Sequence, residues 1–185
     1  MSLRDQLKQD QKEMGRGSDF FKFAEGDNRI RVMAMPKVVA SHFLGGKGVT
    51  CYGMTKGCPH DHDKIDTKWL TWVLHEGTLK LARLPWTVVD YLANLEANPE
   101  YSFTEYPMPY DIIVTAKGAG TMDVEYTPIA ARQNTPVDEV YLNDLRSKKT
   151  PEEIVDEMKR KQAAADGNGA KLAPDAEANP GDIPF

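Results

Sequence analysis

Histidine and cysteine side chains concentrated in one short stretch are the residues of this chain best suited to chemistry. His42, Cys51, Cys58, His60 and His62 lie within 21 residues and include both cysteines and three of the four histidines. Thiolate and imidazole together favour tetrahedral Zn²⁺, and a site closed by cysteines is typically structural. We therefore predict a structural zinc site formed by His42, Cys51, Cys58 and His60, with His62 as the alternative fourth ligand.

The same stretch is compatible with two other roles. His60, Asp61, His62 and Asp63 could hold a catalytic ion in a metal-dependent nuclease. No separate general base or second carboxylate cluster accompanies them, so we expect that the protein is not an enzyme. The remaining alternative is a zinc-stapled module for protein interaction.

Aromatic and basic side chains that suit single-stranded nucleic acid form a second group. Single strands are held by cations on the phosphates and by rings on which the bases stack. Strand parity places Trp69 and Trp72 on opposite faces, and Trp69 is the better stacking candidate because Trp72 shares a side with Leu70 and Leu74. The predicted DNA-binding residues are Arg29, Arg31, Lys47, Tyr52, Lys56, Lys68, Trp69, Lys80, Arg83, Phe103 and Tyr106.

Charge is unevenly distributed along the chain. The net charge is -5, but residues 1–83 carry 14 basic against 10 acidic side chains. Local field matters more to phosphate binding than total charge, so a basic face remains compatible with an acidic protein. No apolar stretch is long enough to cross a membrane and no signal core opens the sequence, so we expect a cytoplasmic protein with reduced cysteines.

Short strands and a few helices must position these side chains. Alternation over 29–33 predicts a strand with Ile30 and Val32 inward and Arg29 and Arg31 on the other face. Turn residues between apolar runs predict two hairpins, and proline and capping signals predict helices. The hairpins are expected at 68–74 with 78–84 and at 110–116 with 122–127, and the helices at 2–14, from Pro85 to about 98, and at 151–164.

This order predicts a mainly β, α+β fold: an OB-like antiparallel barrel with flanking helices, a metal-binding loop and a disordered C-terminal tail. The expected divisions are an N-terminal helical arm (1–18), a barrel domain (19–148) with the zinc loop at about 42–62, a C-terminal helix (149–165) and an acidic tail (166–185). The tail is rich in small and polar residues, yet ends on Asp182, Ile183, Pro184 and Phe185. Such composition favours disorder, which leaves the apolar tip accessible.

The tip resembles the C-terminal peptide of bacterial and phage single-stranded DNA-binding proteins. Phe23, the run from Gly26 to Arg31, the His/Cys stretch, Trp69–Leu74 and the turn at 98–101 follow the order found in zinc-containing phage members of that family, which have an OB fold. The resemblance implies sequence-independent binding of single-stranded DNA in phage replication, recombination or repair, in an infected bacterial host. It also implies that the tip recruits replication or recombination proteins, and self-association on DNA is a further expectation.

Overall fold

The computed structural model describes residues 20–131 and 133–167, which fall into two compact units. The first unit contains 20–38 and the described part of 67–152, and the second contains 39–66 and 153–167. The predicted metal loop and most of the C-terminal helix thus belong to one unit. The predicted N-terminal helix (2–14) and the tip (182–185) lie outside the described residues.

Strands dominate the described chain, as predicted. Eight strands, three helices and a short 3₁₀ turn at Met54–Lys56 are present among these residues. The strands are β1 (Phe20–Phe21), β2 (Gly26–Val32), β3 (Lys37–Leu44), β4 (Lys47–Thr50), β5 (Ile65–His75), β6 (Thr78–Leu84), β7 (Ile112–Lys117) and β8 (Glu125–Ala130). The helices are α1 (Trp86–Ala97), α2 (Glu139–Ser147) and α3 (Pro151–Ala165).

The sheet of the first unit follows the order β1-β6-β5-β2-β7-β8. Only the β1–β6 pair is parallel among the pairings along this path. β2 pairs with β7 through Gly26–Ile30 and with β5 through its last two residues, so it belongs to both halves of the sheet. The order has two free ends in the described chain, so the sheet is open and the predicted closure into a barrel is not observed.

Both predicted hairpins are present as β5–β6 and β7–β8, the second displaced by two to three residues, and helices α1 and α3 match their predicted positions. Two elements were not predicted. The β3–β4 hairpin turns at Gly45 and Gly46, both with positive φ (54° and 81°), in sequence that was interpreted as a metal loop. Helix α2 is only nine residues long and buries no side chain completely, so it lacks the long apolar stripe by which a core helix is recognised in a sequence.

The core of the first unit lies between the sheet and α1. Ile30, Val73, Leu84, Ile112 and Val114 are fully buried there, and Val88, Leu92 and Leu95 of α1 pack onto them. Burial of β-branched and leucine side chains on one sheet face is the main source of stability for such a layer. No helix in the part of the chain that the structure describes is long and apolar enough to cross a membrane.

Candidate metal centre and candidate nucleic-acid groove

The β3–β4 hairpin positions the first two residues of the metal cluster, which we define as His42, Cys51, Cys58 and His62. His42 lies on β3 opposite Val49, and the ladder continues beyond β4 because the Cys51 amide donates to the Ala40 carbonyl at 2.8 Å. Side chains two residues apart on a strand share a face. His42 and Cys51 are therefore directed to the same side of the hairpin, and both are buried.

A tight loop returns Cys58 to the hairpin. The 3₁₀ turn at Met54–Lys56 ends at Gly57, whose φ of 83° is in the left-handed region that favours glycine. The Cys58 amide then donates to the Gly53 carbonyl at 3.2 Å. Further along, the Asp63 amide donates to the Asp61 carboxylate at 2.9 Å, an Asx turn that fixes the segment carrying His62.

The four ligand atoms of the metal cluster lie within 4.8 Å of one another. Cys58 Sγ is 3.4 Å from His42 Nε2, and Cys51 Sγ is 3.5 Å from His62 Nε2. Metal–ligand bonds of about 2.3 Å to sulfur and 2.05 Å to nitrogen would give a sulfur–nitrogen edge of about 3.6 Å in a tetrahedron. The two measured edges are therefore the right size for a tetrahedral ion, and the four residues could bind a metal.

A hydrogen bond outside the cluster orients His42. Its Nδ1 lies 2.8 Å from the Asp61 carbonyl oxygen, so Nδ1–H donates and Nε2 keeps its lone pair on the side of the two thiols. Metal-binding histidines commonly have such a partner for the second ring nitrogen, because it selects the tautomer that can coordinate. The Asp61 carbonyl, in the segment that carries His62, therefore also fixes the tautomer and orientation of His42.

The structure corrects the choice of His60 as the fourth ligand and brings His62 to the cluster. His60 Nε2 lies 3.4 Å from Asp166 Oδ2, beyond the end of α3, and neither atom has a hydrogen-bond partner among the described residues. His60 and His62 are separated by one residue, and both rings lie about 5 Å from the His42 ring, so spacing along the chain could not choose between them. The fold chooses, since only His62 Nε2 reaches the thiols.

The cluster is covered by its own small core. Cys51, Tyr52 and Cys58 are buried with Ala163 of α3, and Ala40 and Ile65 pack against them. Burial raises the pKa of the Cys51 thiol, and Cys58 raises it further, whereas the Gly53 hydrogen bond and Lys159 oppose the change. A protonated thiol must lose its proton to coordinate, so metal uptake here would release protons and weaken as pH falls.

Three residues predicted to bind DNA are buried. Arg31 is only 4% exposed; it donates to Asp111 at 2.7 Å and also bonds Thr135. Tyr52 lies in the core of the metal loop and Phe103 in the core of the first unit. The alternation of β2 predicted an exposed Arg31, but Asp111 and Thr135 hydrogen-bond its guanidinium and bury it.

The other predicted DNA-binding residues belong to several elements of the two units. Arg29 is exposed but is also hydrogen-bonded to Asp111, at 2.7 Å. Trp69 is half-buried with its ring centre 5.4 Å from that of Trp86, and the structure confirms that Trp72 faces the opposite side. Lys47, Lys56 and Arg83 are exposed, whereas Lys68, Lys80 and Tyr106 are half-buried.

An aromatic groove beside β1 was not predicted. It has a volume of about 640 Å³ and is lined by Phe20, Lys22, Phe23, Arg83 and Tyr126, together with the loop at 120–124. Phe23 and Tyr126 have ring centres 5.0 Å apart, and the Arg83 guanidinium lies 5.7 Å over the Phe20 ring. The sequence contains a signal for this groove in the run Phe-Phe-Lys-Phe at 20–23, but by sequence alone this run indicates only the segment that precedes β2.

Rings and cations alternate along this aromatic groove. Phe20 is 50% exposed and Lys22 is exposed, and neither Lys22 nor Arg83 has an ion pair within the described ranges. Burial raises the pKa of Tyr126, so its hydroxyl stays neutral at physiological pH. The groove can therefore offer stacking faces and uncompensated positive charge to one ligand.

Comparison with known proteins provides no further identification. The chain matches no protein-family model, no curated protein and no solved structure.

Proposed function

We propose that this protein binds single-stranded DNA without sequence preference, in phage replication, recombination or repair. The observation that carries the proposal is the aromatic groove, where Phe20, Phe23 and Tyr126 lie beside Lys22 and Arg83. Rings that stack on bases and cations that contact phosphates are the two requirements for holding a single strand. The mainly β fold and the resemblance at the tip support the same function.

The groove can be tested with a fluorescent oligo(dT) in an anisotropy titration. Phe20→Ala should weaken binding by about 1–3 kcal/mol, the usual contribution of one stacked base. Arg83→Ala should weaken it and also reduce the slope of log affinity against log salt by about 0.7, the value for one phosphate contact on a single strand. Arg146→Ala is the matched control, because Arg146 is an exposed cation on α2. Wild-type protein that fails to bind the oligonucleotide at low salt would disprove the proposal.

We propose Zn²⁺ as the ion of the metal cluster, with a structural role. Two thiolates and two imidazoles suit zinc, and four protein ligands leave no position for a substrate or a reactive water. A zinc ion would add its binding free energy to the stability of the hairpin and loop. Elemental analysis of protein purified without added metal should find about one zinc per chain, and a different metal or none would refute this assignment.

The metal cluster also bears on the nuclease alternative. His62 lies against Cys51 Sγ, and the Asp61 carboxylate accepts from the Asp63 amide, so two of the four side chains in the run at 60–63 already have partners. We expect labelled single-stranded DNA incubated with the protein and Mg²⁺, Mn²⁺ or Zn²⁺ to be shifted in a gel but not cut. Cleavage that disappears in a His62→Ala variant would favour the nuclease.

The tip is the second part of the proposed function. Asp182, Ile183, Pro184 and Phe185 would recruit replication or recombination proteins, as the resemblance implies. Deletion of residues 182–185 removes none of the residues that line the aromatic groove, so oligonucleotide binding should persist. Pull-down of replication or recombination proteins from host lysate should be lost, and its persistence would contradict this role.

A further inference from the structure

The turn end of the β3–β4 hairpin carries the most exposed aromatic ring in the described chain. Phe43 is 75% exposed, more than the other exposed rings, Trp86 and Phe20. It pairs across the ladder with Gly48, which has no side chain and around whose Cβ position there is no neighbour within 4 Å. One face of the Phe43 ring therefore has no cross-strand side chain to cover it.

Both strands of the same hairpin also carry or lead into residues of the metal cluster. His42 precedes Phe43 directly on β3, and Cys51 follows β4 by one residue, so both strands are tied to the cluster. Alternation on β3 directs His42 inward and Phe43 outward. An exposed ring on a braced hairpin costs less ordering entropy on binding than one on a mobile loop.

The charged residues near the turn of the β3–β4 hairpin indicate what the Phe43 ring contacts. Residues 28–60 contain no aspartate or glutamate, and the hairpin and loop carry Lys47 and Lys56, both exposed. Lys47 pairs with Leu44 at the end of the ladder, directly beside the turn. An unshielded ring in a stretch of sequence whose charged side chains are all basic suits a base and its phosphates better than an apolar protein surface.

We propose that Phe43 stacks on a base of single-stranded nucleic acid, with Lys47 and Lys56 contacting the adjacent phosphates, so that the metal-braced hairpin is a second contact on the strand. This inference rests on the proposed function and assigns to it a site outside the aromatic groove. Its distinguishing property is that the contact needs an aromatic ring rather than apolar area alone.

Three substitutions separate these contributions in an oligo(dT) anisotropy titration. Phe43→Ala and Phe43→Leu should both weaken binding by roughly 5- to 150-fold, the range for loss of one stacked base, whereas Phe43→Trp should retain affinity. The added tryptophan should also be quenched on binding, beyond the change seen in the wild type. Met35→Ala is the matched control, because Met35 is 74% exposed, apolar and located in the first unit.

Each outcome has one meaning. Affinity of Phe43→Ala equal to that of the wild type overturns the hairpin contact and leaves the groove intact. Full affinity of Phe43→Leu, with loss only in Phe43→Ala, shows a general apolar contact with the oligonucleotide and overturns stacking. Absence of binding by the wild type refutes the proposed function, and this inference with it. Circular dichroism of each variant controls for folding.

Discussion

Removal of His62 should weaken metal binding strongly, whereas removal of His60 should change it little. The two side chains are separated by one residue, and both are partly buried. Only His62 Nε2 lies with the thiols, 3.5 Å from Cys51 Sγ, whereas His60 Nε2 faces Asp166 Oδ2 at 3.4 Å. His62→Ala therefore removes a ligand, and His60→Ala removes a contact between the loop and the end of α3.

The expected size follows from the four-residue composition of the cluster. Structural zinc sites bind with about 10–16 kcal/mol of apparent free energy, so one of four ligands contributes about 2.5–4 kcal/mol if they share it evenly. That loss corresponds to about 10²- to 10³-fold in metal affinity. His60→Ala should change metal affinity by less than tenfold, since it is not within the cluster.

Competition with a chromogenic chelator measures the affinity, and thermal unfolding with and without EDTA reports its coupling to stability. Wild type and His60→Ala should both lose thermal stability on chelation, whereas His62→Ala should already be destabilised and respond little. Equal losses of metal affinity in the two variants would refute the assignment of the fourth ligand. If EDTA does not change the thermal unfolding midpoint of the wild-type protein, a structural metal is refuted.

Three further predictions concern stability. Arg31→Ala should lower the free energy of unfolding by about 1.5–3 kcal/mol in a denaturant titration, because it removes charge-assisted hydrogen bonds to Asp111 and Thr135 while Asp111 keeps its ion pair with Arg29. Exposed Arg29→Ala should cost about 0–1 kcal/mol. Burial raises the pKa of Tyr110 to about 12, so the stability that its neutral hydroxyl provides is present below pH 10 and is lost as pH rises toward 12. Tyr110→Phe should flatten this part of the stability–pH curve. An unchanged slope would contradict the shift. Trp72→Phe removes the indole donor to the Lys149 carbonyl, 2.9 Å away, and should cost about 1 kcal/mol.

Local patterns in the sequence were sufficient for much of the fold. The β5–β6 hairpin follows from alternating apolar residues around Glu76-Gly77, and α1 follows from Pro85 with apolar residues at helical spacing. These signals lie within the element that they specify. The β3–β4 hairpin was missed because its histidine and glycines were interpreted as a loop, and the aromatic groove because its lining comes from three distant segments.

What the sequence determined by itself is the set of candidate ligands: His42, Cys51, Cys58 and a histidine from 60–62 are recognisable by type and proximity. Tertiary structure decided which histidine joins them and that Arg31 is a buried structural residue rather than a surface cation. The physical reason is that side-chain type and local periodicity act over a few residues, whereas burial and ligand geometry depend on segments that are remote in sequence. Asp111 and Thr135 enclose Arg31 from 80 and 104 residues away, and no local pattern contains that information.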